Sequence, residues 1–524
     1  MSLPLLKRAT EDGVTFALTK RPVPTLLAPL RPGGPVPLSA RMPTRALEPG
    51  EQYRFHFDMG KCIGCKCCVV ACNEQNGNPA EINWRRVGDI EGGFFPAVAQ
   101  HHLSMGCNHC LEPTCLAGCP VDAYSKDLLT GIVKHSADAC IGCQYCTWNC
   151  SYGVPQYNPE RGVVGKCDMC HGRLSLGQAP ACVSACPEGA IQIEIVNVTD
   201  WRTSVANAVK PTGVVEGLPV NDGSLATTRI TMADLPPNAR PRDITHVTPE
   251  HPHWSLILMT VLTQLSVGAF VTIWLLQLLG ASTHLGIAAL TSLMVGSLAL
   301  GAATLHLGRP AFAYRALKMW RRSWLSREVL LFSAFSAVAA AYAGTLWFGI
   351  DGGSIVGGVT AALGLAGVTA SACIYRVPSR PSWNTPFTLV QFNLTAGLLG
   401  PLFAAAVGVG DRRMLVLAAA VMAAGQAVLV AFRFFRCIAS DSLELRGTAR
   451  LLSTVLARKF VLRGVLLAAA IVVPLAASNA GMVAFAVALL LALGAEILGR
   501  YLFFVSVVPK HLAAPYVAAA SEAA

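Results

Sequence analysis

The chain has 524 residues, of which 53% are apolar and 14% are charged, and its formal net charge is +11. This length accommodates two or three domains, and the high apolar and low charged fractions indicate a membrane protein. A basic balance can indicate binding to nucleic acid. In the apolar half, however, the Lys and Arg residues lie mainly in loops between apolar segments, where such charges set membrane topology. We therefore expect membrane lipids, and no nucleic acid, among the partners.

Residues 1–50 contain nine prolines, no apolar run of signal-peptide length and no twin-arginine motif. We predict an extended N-terminal arm with little structure of its own. Two interpretations stay open for this arm: it lies on a partner subunit, or it is a disordered tail.

Sixteen of the seventeen cysteines between residues 62 and 187 fall into four groups, each of which opens with C-x2-C and closes with C-x3-C. This is the spacing of bacterial ferredoxins, in which the last cysteine of the run reaches the other cluster of a pair. A tight loop can direct three thiolates at one cubane cluster, while the fourth begins a short helix that leads away. Sixteen ligands therefore predict four [4Fe-4S] clusters. The groups are Cys62, Cys65, Cys68 and Cys72; Cys107, Cys110, Cys115 and Cys119; Cys140, Cys143, Cys146 and Cys150; and Cys167, Cys170, Cys182 and Cys186.

Zinc ribbons and disulfide frameworks also concentrate cysteines, but neither fits this pattern. Zinc ribbons use C-x2-C pairs without the trailing x3-C. Disulfide-rich domains are usually small and secreted, and this chain shows no secretory signal. Cys67 lies inside the first group but off the ligand spacing, so we interpret it as a residue that binds no iron.

Residues 51–200 are predicted to form an α+β domain of two ferredoxin-like modules, one inserted into the other. Alternating patterns at Tyr53–Asp58 and Ala190–Val198 predict strands that flank the cysteine loops. Residues 201–252 are rich in Pro, Thr and Asn, which predicts a linker with some docking function.

From residue 253 to residue 510 the sequence predicts an all-α bundle of eight transmembrane helices, followed by a tail at 511–524. An even number of spans places both ends of the bundle on one side of the membrane. The seventh span is short. The predicted spans are 254–280, 285–305, 329–348, 355–374, 386–409, 414–432, 464–478 with its flanks, and 482–503.

The distribution of charge between the spans predicts the orientation of the bundle. The loops 306–328, 375–385 and 433–463, on the side of the cysteine domain, carry fifteen Lys and Arg residues, whereas the opposite loops carry Arg412 and Arg413. Positively charged loops face the cytoplasm. We therefore expect a multi-pass protein of the inner membrane whose cysteine domain faces the cytoplasm, a reducing compartment that suits thiolates and clusters.

Ionisable residues near the ends of the spans favour more than a bare anchor. His306 closes the second span and Glu328 opens the third, so both are expected at the membrane face nearest the clusters. Such groups are costly at this depth and tend to be functional. A His and a carboxylate can hydrogen-bond a quinone oxygen and move protons as electrons pass. The alternatives are a bare anchor and a histidine that merely lies at the interface.

Arg500, near the same face, is a further candidate for the quinone site. Glu496 precedes it by one helical turn, and the two residues could form an i,i+4 pair that lowers the cost of their burial. No haem is expected, because a membrane b haem takes two histidines from within the spans. Here His253, His284 and His306 only border the spans.

These motifs resemble two subunits of molybdopterin oxidoreductases. Residues 51–200 resemble the four-cluster electron-transfer subunit, and residues 253 to about 510 resemble the eight-helix anchor subunit of dimethyl sulfoxide reductase. The anchor resemblance implies a quinol site made by the His of an HLG motif and by a Glu after the next loop, positions that His306 and Glu328 occupy. The chain thus resembles a fusion of both subunits, as in the dimethyl sulfoxide reductase and sulfite dehydrogenase family. The cluster loops that carry the resemblance are Cys62-Ile63-Gly64-Cys65, Cys107-Asn108-His109-Cys110, Cys140-Ile141-Gly142-Cys143 and Lys166-Cys167-Asp168-Met169-Cys170.

The resemblance also implies that paired groups exchange their trailing cysteines. Groups one and four then pair, as do groups two and three. The four implied ligand sets are Cys62, Cys65, Cys68 and Cys186 (set 1); Cys167, Cys170, Cys182 and Cys72 (set 2); Cys107, Cys110, Cys115 and Cys150 (set 3); and Cys140, Cys143, Cys146 and Cys119 (set 4).

The sequence contains no pterin domain, Walker loop or dinucleotide fingerprint. We therefore expect the substrate to be handled by a separate catalytic subunit that carries a molybdenum or tungsten bis-pterin. This chain would connect that subunit to ubiquinone or menaquinone in the membrane. The expected cytoplasmic orientation favours a sulfite:quinone oxidoreductase. The alternative is a quinol-dependent reductase of dimethyl sulfoxide or other S- or N-oxides, and a scaffold with vestigial clusters is a third interpretation.

Overall fold

The structure is a computed structural model that describes residues 41–208, 224–236, 238–243, 246–476 and 482–513. Most of the predicted N-terminal arm and C-terminal tail, and residues 209–223 of the predicted linker, lie outside these ranges. So do residues 477–481, between the last two predicted spans.

The N-terminal half is a small α+β domain built around short strands, as predicted. Strand β1 lies between β8, which is antiparallel to it, and β9, which is parallel, while β2 lies between β3 and β10. Two hairpins, β4–β5 and β6–β7, complete the sheets. The strands are β1 Glu51–Asp58, β2 Arg86–Phe94, β3 Ala97–Met105, β4 Tyr124–Lys126, β5 Val133–His135, β6 Gln156–Asn158, β7 Val163–Gly165, β8 Ile191–Asn197, β9 Arg229–Thr231 and β10 Arg240–Pro241.

Short helices follow the cysteine loops of this domain. They are α1 Cys67–Asn76, α2 Thr114–Gly118, α3 Tyr145–Asn149, α4 His171–Leu174 and α5 Ala181–Ser184, and α6 Val198–Ala208 follows the last strand of the cysteine region. The predicted strand at Tyr53–Asp58 lies within β1, and the one at Ala190–Val198 contains β8. Their inward side chains, such as Phe55 and Ile193, are buried in one core together with cysteines of the first and fourth groups.

The segment predicted as a linker contributes to this domain. Strands β9 and β10 both come from residues 201–252 and pair with β1 and β2. The Thr227 hydroxyl donates to the Asn108 carbonyl at 2.7 Å, beside the second cysteine group. These strands were not predicted because they have only two or three residues, too few to show an alternating pattern. The many Pro and Asn residues of the segment favoured a linker instead.

The C-terminal half is an all-α bundle, as predicted, and within the described ranges seven of its helices are long and apolar enough to cross a membrane. The seven are α7 Trp254–Leu278, α8 Leu285–Thr304, α9 Trp324–Phe348, α10 Gly353–Ile374, α11 Pro386–Val407, α12 Arg412–Ile438 and α15 Met482–Val505. The seventh predicted span corresponds to α14 Ala457–Ala476, which is not among the seven. An additional helix, α13 Leu443–Ser453, lies in the predicted loop 433–463.

Loops of the bundle dock directly onto the cysteine domain. The backbone of Arg309 donates to the carbonyl of Ile141 at 3.1 Å, and the Ser323 hydroxyl donates to the carbonyl of Gly118 at 2.7 Å. Trp148 of α3 contacts Tyr375 and Trp383 of the bundle, with ring centroids 5.8 and 5.6 Å apart. The third cysteine group is therefore held against the end of the helical bundle.

Candidate functional site

The fold brings the sixteen cysteines together in the four sets implied by the resemblance. In set 1 the thiol of Cys62 interacts electrostatically with those of Cys65, Cys68 and Cys186. In set 2 the neighbours of Cys72 are Cys167, Cys170 and Cys182. In set 3 the neighbours of Cys115 are Cys107, Cys110 and Cys150. In set 4 the neighbours of Cys146 are Cys119, Cys140 and Cys143. Each trailing cysteine thus lies in the set of the partner group.

Two of the sets enclose a cavity. A space of about 20 Å³ is lined by all four cysteines of set 1, and another of about 20 Å³ is lined by all four of set 3, together with Ser224 from the predicted linker. Within the described ranges no three His, Cys, Asp or Glu side chains are close enough to hold a single metal ion. Cubane ligands each bind a different corner of a cluster, so they stand apart around a central space.

The surroundings of the thiols also fit iron–sulfur clusters. Backbone amides donate to sulfur from Ala190 to Cys186 at 3.2 Å and from Ala123 to Cys119 at 3.3 Å. Burial raises the pKa of the Cys62 thiol to about 11. Cys62 would therefore have to lose its proton to bind iron, and the positive charge of the metal would offset the cost of a buried thiolate. When bound, such clusters accept and release single electrons.

Two buried cations lie among these thiols. Arg85 is 3% exposed, and its strongest charged neighbours are Cys182, Cys68 and Cys167, which belong to sets 1 and 2. Its guanidinium also donates to the Ser104 hydroxyl at 3.1 Å.

Lys166 is the second buried cation. Its ammonium lies 3.6 Å from the Cys107 sulfur of set 3 and donates to the backbone carbonyl of Cys167 of set 2. Fixed positive charge therefore lies where sets 1, 2 and 3 adjoin one another.

A cavity of about 240 Å³ lies where the cysteine domain meets the helical bundle, and we call it the interface cavity. His306, Glu328 and Cys143 all line it, together with Trp148 and Tyr375. Most of the remaining lining residues are apolar, which is the usual character of a small-molecule site with a few placed polar groups. The structure therefore places the His and the carboxylate singled out from the sequence in one cavity, next to a cysteine of set 4.

The two ionisable residues of the interface cavity have unsatisfied polar atoms. His306 Nδ1 and Glu328 Oε1 are buried without a hydrogen-bond partner. Burial lowers the pKa of His306 to about 4, so the ring is neutral at physiological pH and can both donate and accept a hydrogen bond. Buried polar atoms without partners are rare and call for a bound ligand or water.

Arg500 does not line the interface cavity. Its guanidinium donates to Gln264 Oε1 at 2.9 Å and lies 3.5 Å from the centre of the Phe392 ring. Glu496 accepts a hydrogen bond of 2.6 Å from Thr395 and lies 3.8 Å from Arg463. Both belong to a separate polar cluster among α7, α11, α12, α14 and α15.

Sequence reasoning missed Gly308, although the HLG motif contains it. A Cβ atom at this position would lie 2.1 Å from the carbonyl oxygen of Gly162, and one at Gly142 would lie 2.8 Å from the Gly308 backbone nitrogen. Three glycines therefore allow the backbone after His306 to touch the loop that carries Cys140 and Cys143. The sequence feature that could have predicted this contact is a glycine within two residues of a candidate site residue in each loop: Gly308 after His306, and Gly142 before Cys143.

Comparison with known proteins agrees with this division into two parts. Residues 98–195 match the family described as 4Fe-4S dicluster domain, and residues 249–505 match the family described as DMSO reductase anchor subunit (DmsC).

Curated relatives match the cysteine domain. The protein is 39% identical over 170 residues to an anaerobic dimethyl sulfoxide reductase chain of Haemophilus influenzae, a match that covers 31% of this chain and 82% of the relative. It is 34% identical over 176 residues to a sulfite dehydrogenase subunit of Allochromatium vinosum, a match that covers 30% of this chain and 73% of that relative. It is 37% identical over 173 residues to the formate dehydrogenase iron-sulfur subunit of the same Haemophilus species, a match that covers 28% of this chain and 55% of that relative. The chain therefore belongs to the family of dimethyl sulfoxide reductase iron–sulfur subunits, here fused to a membrane-anchor domain of the same kind of reductase.

Proposed function

We propose that this chain carries electrons through four [4Fe-4S] clusters between a molybdopterin-containing catalytic subunit and quinone in the membrane. The observation that carries the proposal is the interface cavity, because one cavity wall contains both a cysteine of set 4 and the pair His306 and Glu328. Electrons leaving the last cluster would have a short path to a quinone bound there. The convergence of the cysteines into four sets supports the rest of the relay.

The residues of the interface cavity are suited to the proton part of the reaction. Reduction of a quinone to a quinol takes up two electrons and two protons, and oxidation of the quinol releases them. The neutral ring of His306 can hydrogen-bond one quinone oxygen, and Glu328 can give or take a proton at the same site. The apolar remainder of the lining, including Leu256 and Phe332, suits the ring and the first part of the isoprenoid tail.

The His306→Ala and Glu328→Gln variants test this site. We expect each to lower quinone turnover by about 10²-fold or more, the usual contribution of a positioned acid–base group. The clusters should assemble as in the unaltered complex, as judged by their electron paramagnetic resonance spectra. Tyr342→Phe, a change in the bundle core away from the cavity, is the control. Unchanged quinone turnover in both variants would reject the assignment, whereas turnover lost together with the cluster signals would indicate misfolding.

For the substrate of the catalytic partner we propose sulfite, with electrons flowing to the quinone pool. This choice rests on the predicted cytoplasmic orientation of the iron–sulfur domain, and a relative named as a sulfite dehydrogenase subunit is consistent with it. Reduction of dimethyl sulfoxide or a related oxide by quinol is the second candidate. It is supported equally, by the anchor family and by relatives named as dimethyl sulfoxide reductase chains.

The two candidates are separated by assaying the complex purified through a tag on this chain. Sulfite-dependent reduction of a soluble quinone would identify the first, and oxidation of a quinol that depends on dimethyl sulfoxide would identify the second. Activity with the oxide alone would reverse the direction of electron flow and contradict the sulfite proposal. Activity with neither substrate would require a different catalytic partner.

A further inference from the structure

Two adjacent cavities of the bundle lie apart from the interface cavity. The first, the arginine cavity, has a volume of about 70 Å³, and its wall includes Arg433 and Arg463. The second, the apolar groove, has a volume of about 600 Å³ and lies between α12 and α14, where nearly all lining residues are apolar. The two cavities share a wall, because four residues line both of them: Val430, Phe434, Phe460 and Arg463.

The arginine cavity lies at the end of the bundle that contacts the iron–sulfur domain. Trp383 lines this cavity, and its ring also contacts Trp148 of α3, with centroids 5.6 Å apart. This is the face where the sequence concentrates the Lys and Arg residues of the loops. Basic residues at a membrane face attract anionic lipid headgroups.

Arg433 is held in the arginine cavity by neutral groups. Its guanidinium donates to the Gln391 side chain and, at 2.8 Å, to the Ser382 carbonyl. The charged side chains that act on it most strongly are two further arginines, Arg463 and Arg436. Among the described residues, neither hydrogen-bond acceptor of Arg433 is a carboxylate.

Arg463 is 6% exposed and donates to Gln426 at 3.1 Å, with the carboxylate of Glu496 3.8 Å away. That carboxylate also accepts a hydrogen bond from Thr395 and lies one helical turn from Arg500. One carboxylate therefore faces several arginines, which leaves an excess of buried positive charge. Burying an ion without a compensating charge is strongly unfavourable, so the arginine cavity favours a bound anion.

We propose that the arginine cavity and the apolar groove together bind an anionic phospholipid. Its phosphate lies beside Arg433 and Arg463, and its acyl chains lie along α12 and α14. The arginine cavity holds roughly five waters at about 15 Å³ each, which is enough for a phosphate group. A second copy of the chain could cover the groove but would not neutralise the arginines. Free phosphate could neutralise the arginines but would leave the groove empty, so only a charged amphiphile satisfies both parts.

Two variants separate the parts of this site. Arg433→Gln removes one charge from the cavity. Gly464→Leu fills the groove and leaves every charge in place, and it should fold because a Cβ at Gly464 meets no atom within 4 Å. Arg446→Gln is the matched control, since Arg446 is an exposed arginine of the same region 433–463 that does not line the arginine cavity.

The measurement is the phospholipid retained per complex after purification in detergent, determined by mass spectrometry with equal phosphatidylglycerol and phosphatidylcholine supplied. We expect preferential retention of phosphatidylglycerol, reduced at least fivefold by Arg433→Gln and by Gly464→Leu and unchanged by Arg446→Gln. Equal retention of both lipids, or equal retention by all variants, would overturn the proposal. Release of phosphatidylglycerol by inorganic phosphate, with no effect of Gly464→Leu, would show that the cavity takes free phosphate and would also overturn it.

Discussion

At the scale of single residues, Arg85 explains how neighbouring cysteine sets can be held close together. Reduction would add negative charge to a cluster held by four thiolates, and a buried guanidinium would lower the energy of that state. Arg85 is buried among thiols of sets 1 and 2, with a hydrogen bond to Ser104 that fixes its position. Its charge is permanent, because arginine does not lose its proton in proteins.

We predict that Arg85→Gln lowers the reduction potentials of the clusters in sets 1 and 2. One charge at roughly 7 Å in a medium of effective dielectric about 20 is worth roughly 2 kcal/mol, which corresponds to roughly 90 mV for one electron. Redox titration followed by electron paramagnetic resonance measures the shift. Arg85→Lys, which keeps the charge, should restore most of it. Equal potentials in the Gln variant and the unaltered protein would show that the guanidinium has only a packing role.

His306 supplies a prediction on pH. Burial lowers its pKa to about 4, whereas the ordinary value in an unfolded polypeptide is about 6.5. Between these two pKa values the unfolded state binds more protons than the folded state. The contribution of His306 to the free energy of unfolding is therefore fully present above about pH 6.5 and is lost as the pH falls through this range. The apparent unfolding temperature of His306→Gln should therefore fall less between pH 7 and pH 5 than that of the unaltered protein. An equal fall of the unfolding temperature in both proteins would contradict a lowered pKa for His306.

At the scale of the elements, contact between the two halves depends on backbones that approach closely. The loop after α8 meets the loops of the cysteine domain at Gly308, Gly142 and Gly162, where any Cβ would collide with backbone atoms. The hydrogen bond from Arg309 to Ile141 extends this contact. His306 and Cys143 therefore reach the same cavity because side chains are absent between their loops.

We predict that Gly308→Ala separates the interface cavity from set 4. The new methyl group would lie 2.1 Å from the Gly162 carbonyl oxygen, so one of the loops must move. Quinone turnover should fall at least tenfold, while cluster content stays unchanged, because the cysteines themselves are untouched. Gly301→Ala is the matched control, since a Cβ there meets no atom within 4 Å. Equal effects of the two substitutions would contradict the contact.

At the scale of the whole molecule, one polypeptide connects soluble electron-transfer chemistry to the membrane. The docking surface is formed by several separate loops of the bundle and by the aromatic contacts of Trp148. Because both halves belong to one polypeptide, their contact does not depend on subunit concentration. The short path from set 4 to the interface cavity is a consequence of this docking.

Orientation in the membrane remains a prediction of the charge pattern, and it can be measured. A reporter enzyme inserted immediately before Arg412, in the short loop that precedes α12 on the side away from the iron–sulfur domain, should be active only on the periplasmic face. A second reporter at residue 440, in the arginine-rich loop 433–463, serves as the opposite control. Cytoplasmic activity at Arg412 would reverse the orientation and remove the main support for sulfite as the substrate.

Much of the architecture is local enough to be determined by sequence alone. The C-x2-C loops and long apolar runs are patterns of neighbouring residues, so the iron–sulfur domain and the helical bundle could be assigned from them. His306 and Glu328 could be singled out because ionisable residues at the ends of apolar spans are unusual. Strands β9 and β10 were missed, since elements of two or three residues carry a weak periodic signal. Helix α13 was missed because the whole polar stretch 433–463 was assigned to a loop, although its apolar residues recur with a helical period.

The tertiary structure alone decided which distant groups meet. Only the folded chain places Arg85 among cysteines up to about a hundred positions away, brings Gly308 against Gly162, and separates Arg500 from the interface cavity. Sequence spacing determines what a residue can do with its near neighbours, such as binding a corner of a cluster from a tight loop. Contacts between remote segments depend on how whole elements pack, because packing is set by the summed shape and burial of many side chains.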